Sequence, residues 1–392
     1  MKKIAFFCIP AQGHTNPTLA VVKELVERGN EVRYYSYDSM KERIEATGAT
    51  YISCDQYDIG MQLKPEDADR VGKDIEFSTR ILVNTTLAMD DALLARMQEW
   101  KPDLIVADSM ATWGKLIALK LNIPFISSTT TFAFNQESAK LMKPDVKQIL
   151  GMILKMGKIN KHIKRLKDKG YPVDNFVAII QNDNDTHTIV YTSKEFQPCA
   201  ETFSDKYLFV GPSIRPLDYQ VSKPEKKTIY ISMGTVNNQD AGFFKNCIEA
   251  LKGSDYEVIM SIGDIIDKKV LGEVPDNFTI EQRVNQMEVL QQADAFITHC
   301  GMNSVNEALY YQVPLILFPQ TSEQGAVASQ VSAKGAGFYL KDKKPDTIRA
   351  AVDTICSTAS YREKAKEIAE SFYRCGGAKA AADKIESLAS GN

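Results

Sequence analysis

Four histidines are spread over the 392 residues of the chain, at positions 14, 162, 187 and 299, and two of them stand where chemistry could be done. His14 follows an apolar run, Ile4 to Ile9, and lies in a Gly13-His14 turn ahead of Asn16-Pro17, which reads as a helix N-cap and first helical residue. An imidazole with a pKa near ~6.5 can take a proton from a hydroxyl at neutral pH. A lone loop histidine is as readily a surface or structural residue, so the residue type alone leaves both readings open. His299 ends a second apolar run in His299-Cys300-Gly301, with a helix predicted to begin near Asn303 or Ser304. A glycine turn at a helix start offers backbone N–H groups to an anion, and a histidine adds a donor, although any strand-to-helix turn has such groups. Ser304 and Glu307 have the S-x-x-E spacing of a capping box, so Glu307 reads equally as a capping residue. His162 and His187 fit no pattern and read as structural or surface residues.

Metal chemistry has one candidate, Asp183-Asn184-Asp185, a D-x-D in a polar run just before the strand-like Thr188 to Tyr191. Its setting predicts a solvated turn, and no metal is expected. The seven cysteines are odd in number, widely spaced and without C-x-x-C, which argues against a disulfide framework or zinc site and for a reducing, cytoplasmic setting. With 47 Lys plus Arg against 50 Asp plus Glu, a net charge of −3, the chain lacks the basic excess of a nucleic-acid binder. Hydrophobic residues at 44% and charged residues at 25% are those of an ordinary globular protein. The apolar start after Met1-Lys2-Lys3 is too short for a signal peptide and reads as a first strand.

The elements that would position these residues are βαβ units. Short apolar runs at Ile4–Ile9, Val32–Tyr35, Leu104–Ala107, Phe125–Ser127 and Thr188–Tyr191 alternate with helical sequence, and the pattern restarts at Thr228–Ser232, Glu257–Ser261, Ala295–Thr298 and Leu315–Phe318. The Pro-punctuated stretch 211–227 between them predicts a linker. The expected fold is therefore α/β, with two doubly wound halves and ligands at the carboxyl ends of their strands. The domains would be 1–210, then 228–375, with 376–392 a separate C-terminal helix after the Cys375-Gly376-Gly377 break. From Glu137 to Lys169, ten Lys or Arg stand against three Asp or Glu, with Ile149, Ile153, Met156, Ile163 and Leu166 at helical spacing. This predicts a basic amphipathic helix: a solvated face over a core stripe, a wall for an apolar acceptor, or an interfacial contact.

The segment from Arg283 to Gln324 resembles the signature box of the UDP-dependent glycosyltransferases, enzymes of the GT-B fold, in its H-C-G-x-N-S core, its E-A-L-x-x-x-V-P and its closing Glu323-Gln324. Pro10 to Pro17, P-A-Q-G-H-x-N-P, is similar to the start of the bacterial macrolide-glycosyltransferase branch, and the likeness spans the whole chain. The resemblance implies two Rossmann-like domains facing across a cleft: an N-terminal acceptor-binding domain, and a C-terminal sugar-nucleotide-binding domain whose last helix returns toward the first. It implies that His14 is the general base and that Asp108 orients and charge-stabilises its ring. Gln286 would meet the uracil or ribose, Glu307 the ribose hydroxyls, and His299, Asn303 and Ser304 the diphosphate. Gly234 and Thr235 in Ser232-Met233-Gly234-Thr235 would lie beside the phosphates, and Glu323 and Gln324 would bind the sugar hydroxyls. Gly13, Val284 and Gly301 complete the implied donor-binding set. Arg283 stands where plant members carry a Trp that stacks on uracil; a guanidinium plane can also stack on a base.

The expected activity is inverting transfer of a sugar, glucose before others, from a UDP-sugar to a hydroxyl of an apolar small molecule such as a macrolide, flavonoid or other phenol. The sugar nucleotide is a co-substrate, and no cofactor or metal is expected. Stable membrane association is not expected either. Two alternatives share the fold: a lipid glucosyltransferase using the basic helix at a membrane, and a sugar-nucleotide epimerase. The His14 and Asp108 pairing and Glu323-Gln324 argue against the epimerase.

Overall fold

Each apolar run forms a parallel strand that hands the chain to a helix, so that side chains alternate between the two covered faces of a sheet. The computed structural model describes residues 1–57, 74–139, 146–180, 182, 184–214, 217, 219–234 and 240–391. They divide into two units, one of Met1–Tyr191, Cys199–Ser213 and Gly376–Asn392, the other of Thr192–Pro198 and Ile214–Cys375. Each is a parallel-sheet, Rossmann-like domain.

The first unit has β1 (Lys3–Phe7), β2 (Glu31–Ser36), β3 (Thr50–Ser53), β4 (Leu104–Asp108), β5 (Phe125–Thr129), β6 (Thr188–Val190) and β7 (Tyr207–Phe209), in the order β3-β2-β1-β4-β5-β6-β7. Ile4, Phe6, Tyr34 and Val106 bury one face together with Ala381 and Ile385 of the helix Gly377–Ala389. Ala5, Phe7, Tyr35 and Ile105 bury the other with Trp113. The second unit has β8 (Thr228–Ser232), β9 (Glu257–Ser261), β10 (Phe278–Glu281), β11 (Ala293–Thr298), β12 (Leu315–Leu317) and β13 (Gly337–Tyr339), in the order β10-β9-β8-β11-β12-β13. Ile229, Ile231, Val258, Met260, Ala295 and Ile297 supply its main core.

Four strands, β3, β7, β10 and β13, are not readable as apolar runs, and all four are sheet edges. Edge strands are short and partly wet; β10, for example, alternates buried and exposed residues.

The unit boundary also differs from a single linker at 211–227. Thr192–Pro198, inside the expected first domain, belongs to the second unit. There the Ser193 and Ser371 hydroxyls lie 2.7 Å apart, Phe196 packs edge-on against Phe372, and the Gln330 amide donates to the Phe196 carbonyl. These are long-range contacts that no local pattern announces.

The basic helix runs from Val146 to Asp168 and packs along Ile75–Trp100. Ile163 and Leu166 are buried as expected, but Met156 is partly exposed and Ile159 takes its place in the stripe, in a cluster with Leu82, Val83 and Leu116. The side chains of Ile149 and Ile153 lie outside the described residues. Two of its cations are answered locally, Lys155 by Asp74 and Lys167 by Asp174, and Nε2 of His162 is hydrogen-bonded to Glu76. No helix among the described residues is long and apolar enough to cross a membrane.

Candidate active site

In the first unit, β1, β4 and β5 lie side by side and end at the same rim, which brings together three polar residues from distant parts of the chain. His14 is in the first turn of the helix Gln12–Glu27 that follows β1. This helix starts earlier than Asn16-Pro17 predicts: Ala11 is the N-cap and Pro17 lies inside. Gly13 consequently sits in the first turn as well. Asp108 closes β4 and is buried, and Thr130 follows the last residue of β5.

Nδ1 of His14 lies 2.8 Å from Oδ2 of Asp108 and 3.1 Å from Oγ1 of Thr130. The other oxygen of Asp108 accepts from the backbone N–H groups of Met110, at 2.9 Å, and Ala111, at 3.3 Å. A carboxylate only accepts, so the proton of the neutral ring belongs on Nδ1 and the lone pair on Nε2. With 18% of its side-chain surface accessible, His14 can take a proton from an incoming hydroxyl and have the resulting imidazolium stabilised by a fixed carboxylate. Thr130 was not singled out in the sequence; the polar run Ser127 to Thr130 at a strand end was the available signal.

In the second unit the turns after β8 and β11 converge on His299. A Cβ on Gly234 would lie 2.5 Å from the imidazole Nε2, and one on Gly301 would lie 2.6 Å from it, so the ring occupies space that only two glycines leave. Gly234 also has a φ of +77°, which favours glycine independently. Cys300 between them is in the left-handed region at φ +67°, the strain of a sharp strand-to-helix turn. Burial pushes the His299 imidazole down to about 4, against a weaker opposing hydrogen bond at the Ser232 backbone, so the ring is neutral at pH 7. Its Nδ1 is buried without a partner among the described residues.

The helix Met302–Tyr310 begins at Gly301, which has no side chain to cap it. Asn303 and Ser304 are therefore inside its first turn, and the Ser304–Glu307 capping box does not form. The S/T-x-x-Q box that does form is Thr321–Gln324, at the start of the helix Ser322–Ala333. There Oε1 of Gln324 accepts from the N–H of Gln320, at 2.8 Å, and of Thr321, at 3.2 Å. What Gln324 can offer a ligand is its NH2 end. Glu323, beside it, is exposed.

Glu307 instead joins a polar cluster. Nε2 of Gln286 donates to Oε2 of Glu307 and, at 3.3 Å, to Oγ of Ser304. The hydroxyl of Tyr230 donates to Oε1 of Gln286 at 2.9 Å. Burial pushes the Glu307 carboxyl up to about 7, and the Gln286 hydrogen bond pulls against it. Glu307 and His299 are each partly buried. Such carboxylates suit paired sugar hydroxyls, and such turns suit phosphate oxygens.

Arg283 is exposed and forks onto Asp264 through Nε and Nη2, which leaves the face of its guanidinium plane open to a base. Val284, next to it, is half-buried. Thr235 and Asp183 lie outside the described residues. Asp185, the other acid of the D-x-D, is exposed and near Lys206. Among the described residues no group of three or more His, Cys, Asp or Glu could hold a metal ion.

A profile of the erythromycin biosynthesis protein CIII-like C-terminal domain matches residues 245–382. The chain is 33% identical to the uncharacterized UDP-glucosyltransferase YojK of Bacillus subtilis (strain 168), over 98% of this chain and 97% of the relative. It is 34% identical to the NDP-glycosyltransferase YjiC of the same organism, over 99% and 98%. Among solved structures, the glycosyltransferase of kitacinnamycin superposes with a TM-score of 0.86 at 26% identity, covering 99% of both chains. The chain thus belongs to the UDP-dependent glycosyltransferases of the GT-B fold, in their macrolide-type branch, and is an enzyme that transfers a sugar from a sugar-nucleotide donor to a small-molecule acceptor.

Proposed function

We propose that the enzyme transfers glucose from UDP-glucose, with inversion, to a hydroxyl of an apolar natural product such as a macrolide, flavonoid or other phenol. The observation that carries this reading is the contact of His14 with Asp108 at adjacent strand ends. The acceptor oxygen attacks the anomeric carbon while Nε2 of His14 takes its proton. The bond from that carbon to the diphosphate breaks, and its electron pair leaves with UDP. A base that activates the acceptor directly supports one displacement, and one displacement inverts the configuration.

The second unit binds the donor. The ribose hydroxyls go to Glu307, the diphosphate to the turns around Gly234, His299 and Gly301 with Asn303 and Ser304, and the sugar to Glu323 and the Gln324 NH2. Charge on the leaving diphosphate is met by the helix N-terminus at Gly301 and the backbone N–H groups of its first turn, which makes a divalent metal unnecessary. Glucose and uridine are favoured by the similarity to a UDP-glucosyltransferase of Bacillus subtilis, while the similarity to an NDP-glycosyltransferase speaks for some breadth in the base. Mass spectrometry of products from a panel of sugar nucleotides and phenolic or macrolide acceptors, with the anomeric coupling of the product by NMR, tests the reading. A glucoside of β configuration from α-linked UDP-glucose is expected. A retained anomer, or equal use of UDP-galactose or a TDP-sugar, would contradict it.

A further inference from the structure

Tyr230 is fully buried in the middle of an apolar strand and would ordinarily be read as core. Its ring does stack on Phe296, with centroids 4.5 Å apart and an interplanar angle of 21°. Its hydroxyl, however, ends in the polar cluster of the second unit. Nε2 of Gln286 has two protons, and both have acceptors, Glu307 and Ser304. The opposite orientation of this amide would press its oxygen against a carboxylate. The amide oxygen must therefore face Tyr230, and the phenol must donate to it. Two residues further along the strand, Oγ of Ser232 accepts from the backbone N–H of Gly234 at 3.4 Å. A chain of hydrogen bonds runs from Tyr230 through Gln286 to Glu307.

Building on the donor site proposed above, we infer that Tyr230 is a positioning residue for the nucleotide: its hydroxyl locks the Gln286 amide, which in turn aims the Glu307 carboxylate and the Ser304 hydroxyl. On this account Gln286 acts chiefly through Glu307 and Ser304, since its donors and its oxygen are already engaged. Removing the phenol oxygen leaves the ring and its stack in place but frees the amide to turn, and the carboxylate loses its fixed donor.

A double-mutant cycle on the full-length enzyme with UDP as the probe tests this, read by calorimetry, with thermal unfolding to show that each variant folds. Tyr230→Phe should weaken UDP binding about 3- to 10-fold, the range of one buried hydrogen bond, and raise the KM for UDP-glucose in step while kcat stays within about twofold. In a Gln286→Ala background the same substitution should add less than about twofold, because the link is already cut. Tyr230→His, which keeps a ring and a donor, should recover part of the affinity. Unchanged UDP binding in Tyr230→Phe, an equal loss in both backgrounds, or no recovery with His would overturn the inference while leaving the donor site standing. If Gln286→Ala and Glu307→Ala themselves leave UDP binding unchanged, the donor-site reading falls, and this inference falls with it.

Discussion

Nδ1 of His14 and Oδ2 of Asp108 are 94 positions apart in sequence and 2.8 Å apart in space. The remaining Asp108 oxygen is tied to the backbone of Met110 and Ala111, so the carboxylate is a fixed acceptor. Fixing the proton of the ring on Nδ1 leaves the lone pair on Nε2, and in the proposed mechanism the buried carboxylate favours the imidazolium that forms as the acceptor attacks.

Asp108→Asn keeps the shape and removes the charge. Transfer to weakly acidic alcohols should drop about 100-fold or more, as when the orienting carboxylate of a hydrolase triad is neutralised. Phenols acidic enough to ionise unaided should suffer least. Rates across acceptors of graded hydroxyl pKa check this, and a variant as active as the wild type on the weakest acids would refute the role of Asp108.

Glu307 and His299 pull the pH dependence of stability in opposite directions. The Glu307 pKa is raised on folding, from about 4.5 to about 7, so its contribution is present below pH 4.5 and is lost as pH rises through 7. The His299 pKa is lowered, from about 6.5 to about 4, so stability is lost as pH falls from 6.5 toward 4. The two slopes oppose each other between pH 4.5 and 6.5. Glu307→Gln should remove the alkaline-side loss, so the midpoint of thermal unfolding rises more between pH 5 and pH 7.5 than in the wild type. An unchanged difference would show that burial does not perturb this carboxyl.

Gly234→Ala places a methyl 2.5 Å from the His299 ring in a backbone conformation of φ +77° that alanine disfavours. The conformation alone costs about 1–2 kcal/mol, and the ring must also move. UDP affinity should fall at least tenfold, with a lower unfolding midpoint. Wild-type affinity in this variant, measured by titration calorimetry, would mean that the turn and His299 do not form the diphosphate site.

The central strands, the two-unit organisation and the His299 turn are legible because buried parallel strands are uniform apolar runs and because glycine at a sharp turn leaves a local mark. The sheet edges β3, β7, β10 and β13 are not legible, since half-wet strands of three or four residues resemble loops. Ser304–Glu307 and Asn16-Pro17 have the spacing of helix starts but lie inside helices begun at Gly301 and Ala11. Spacing cannot see where the preceding strand releases the chain. Thr130 is marked in sequence only by the polar run at its strand end, and Tyr230 becomes visible only through its contact with Gln286, which is distant in sequence.

The diphosphate site proposed above needs no divalent ion. Activity should persist in excess EDTA, and Asp183→Ala with Asp185→Ala should change kcat/KM by less than about twofold, as for a substitution remote from the transition state. Loss on chelation that Mn²⁺ restores and the double substitution abolishes would require a different site.

The most direct measurement replaces His14 by Ala and follows two quantities in the same preparation, the rate of glucoside formation from UDP-glucose by mass spectrometry and the affinity for UDP by calorimetry. Transfer should fall by roughly 100- to 10,000-fold, the usual contribution of a general base, while UDP affinity changes by less than about threefold because the proposed nucleotide site lies in the other unit. Near-intact transfer in His14→Ala, or a loss of UDP binding that accounts for the whole defect, would contradict the assignment of His14 as the base.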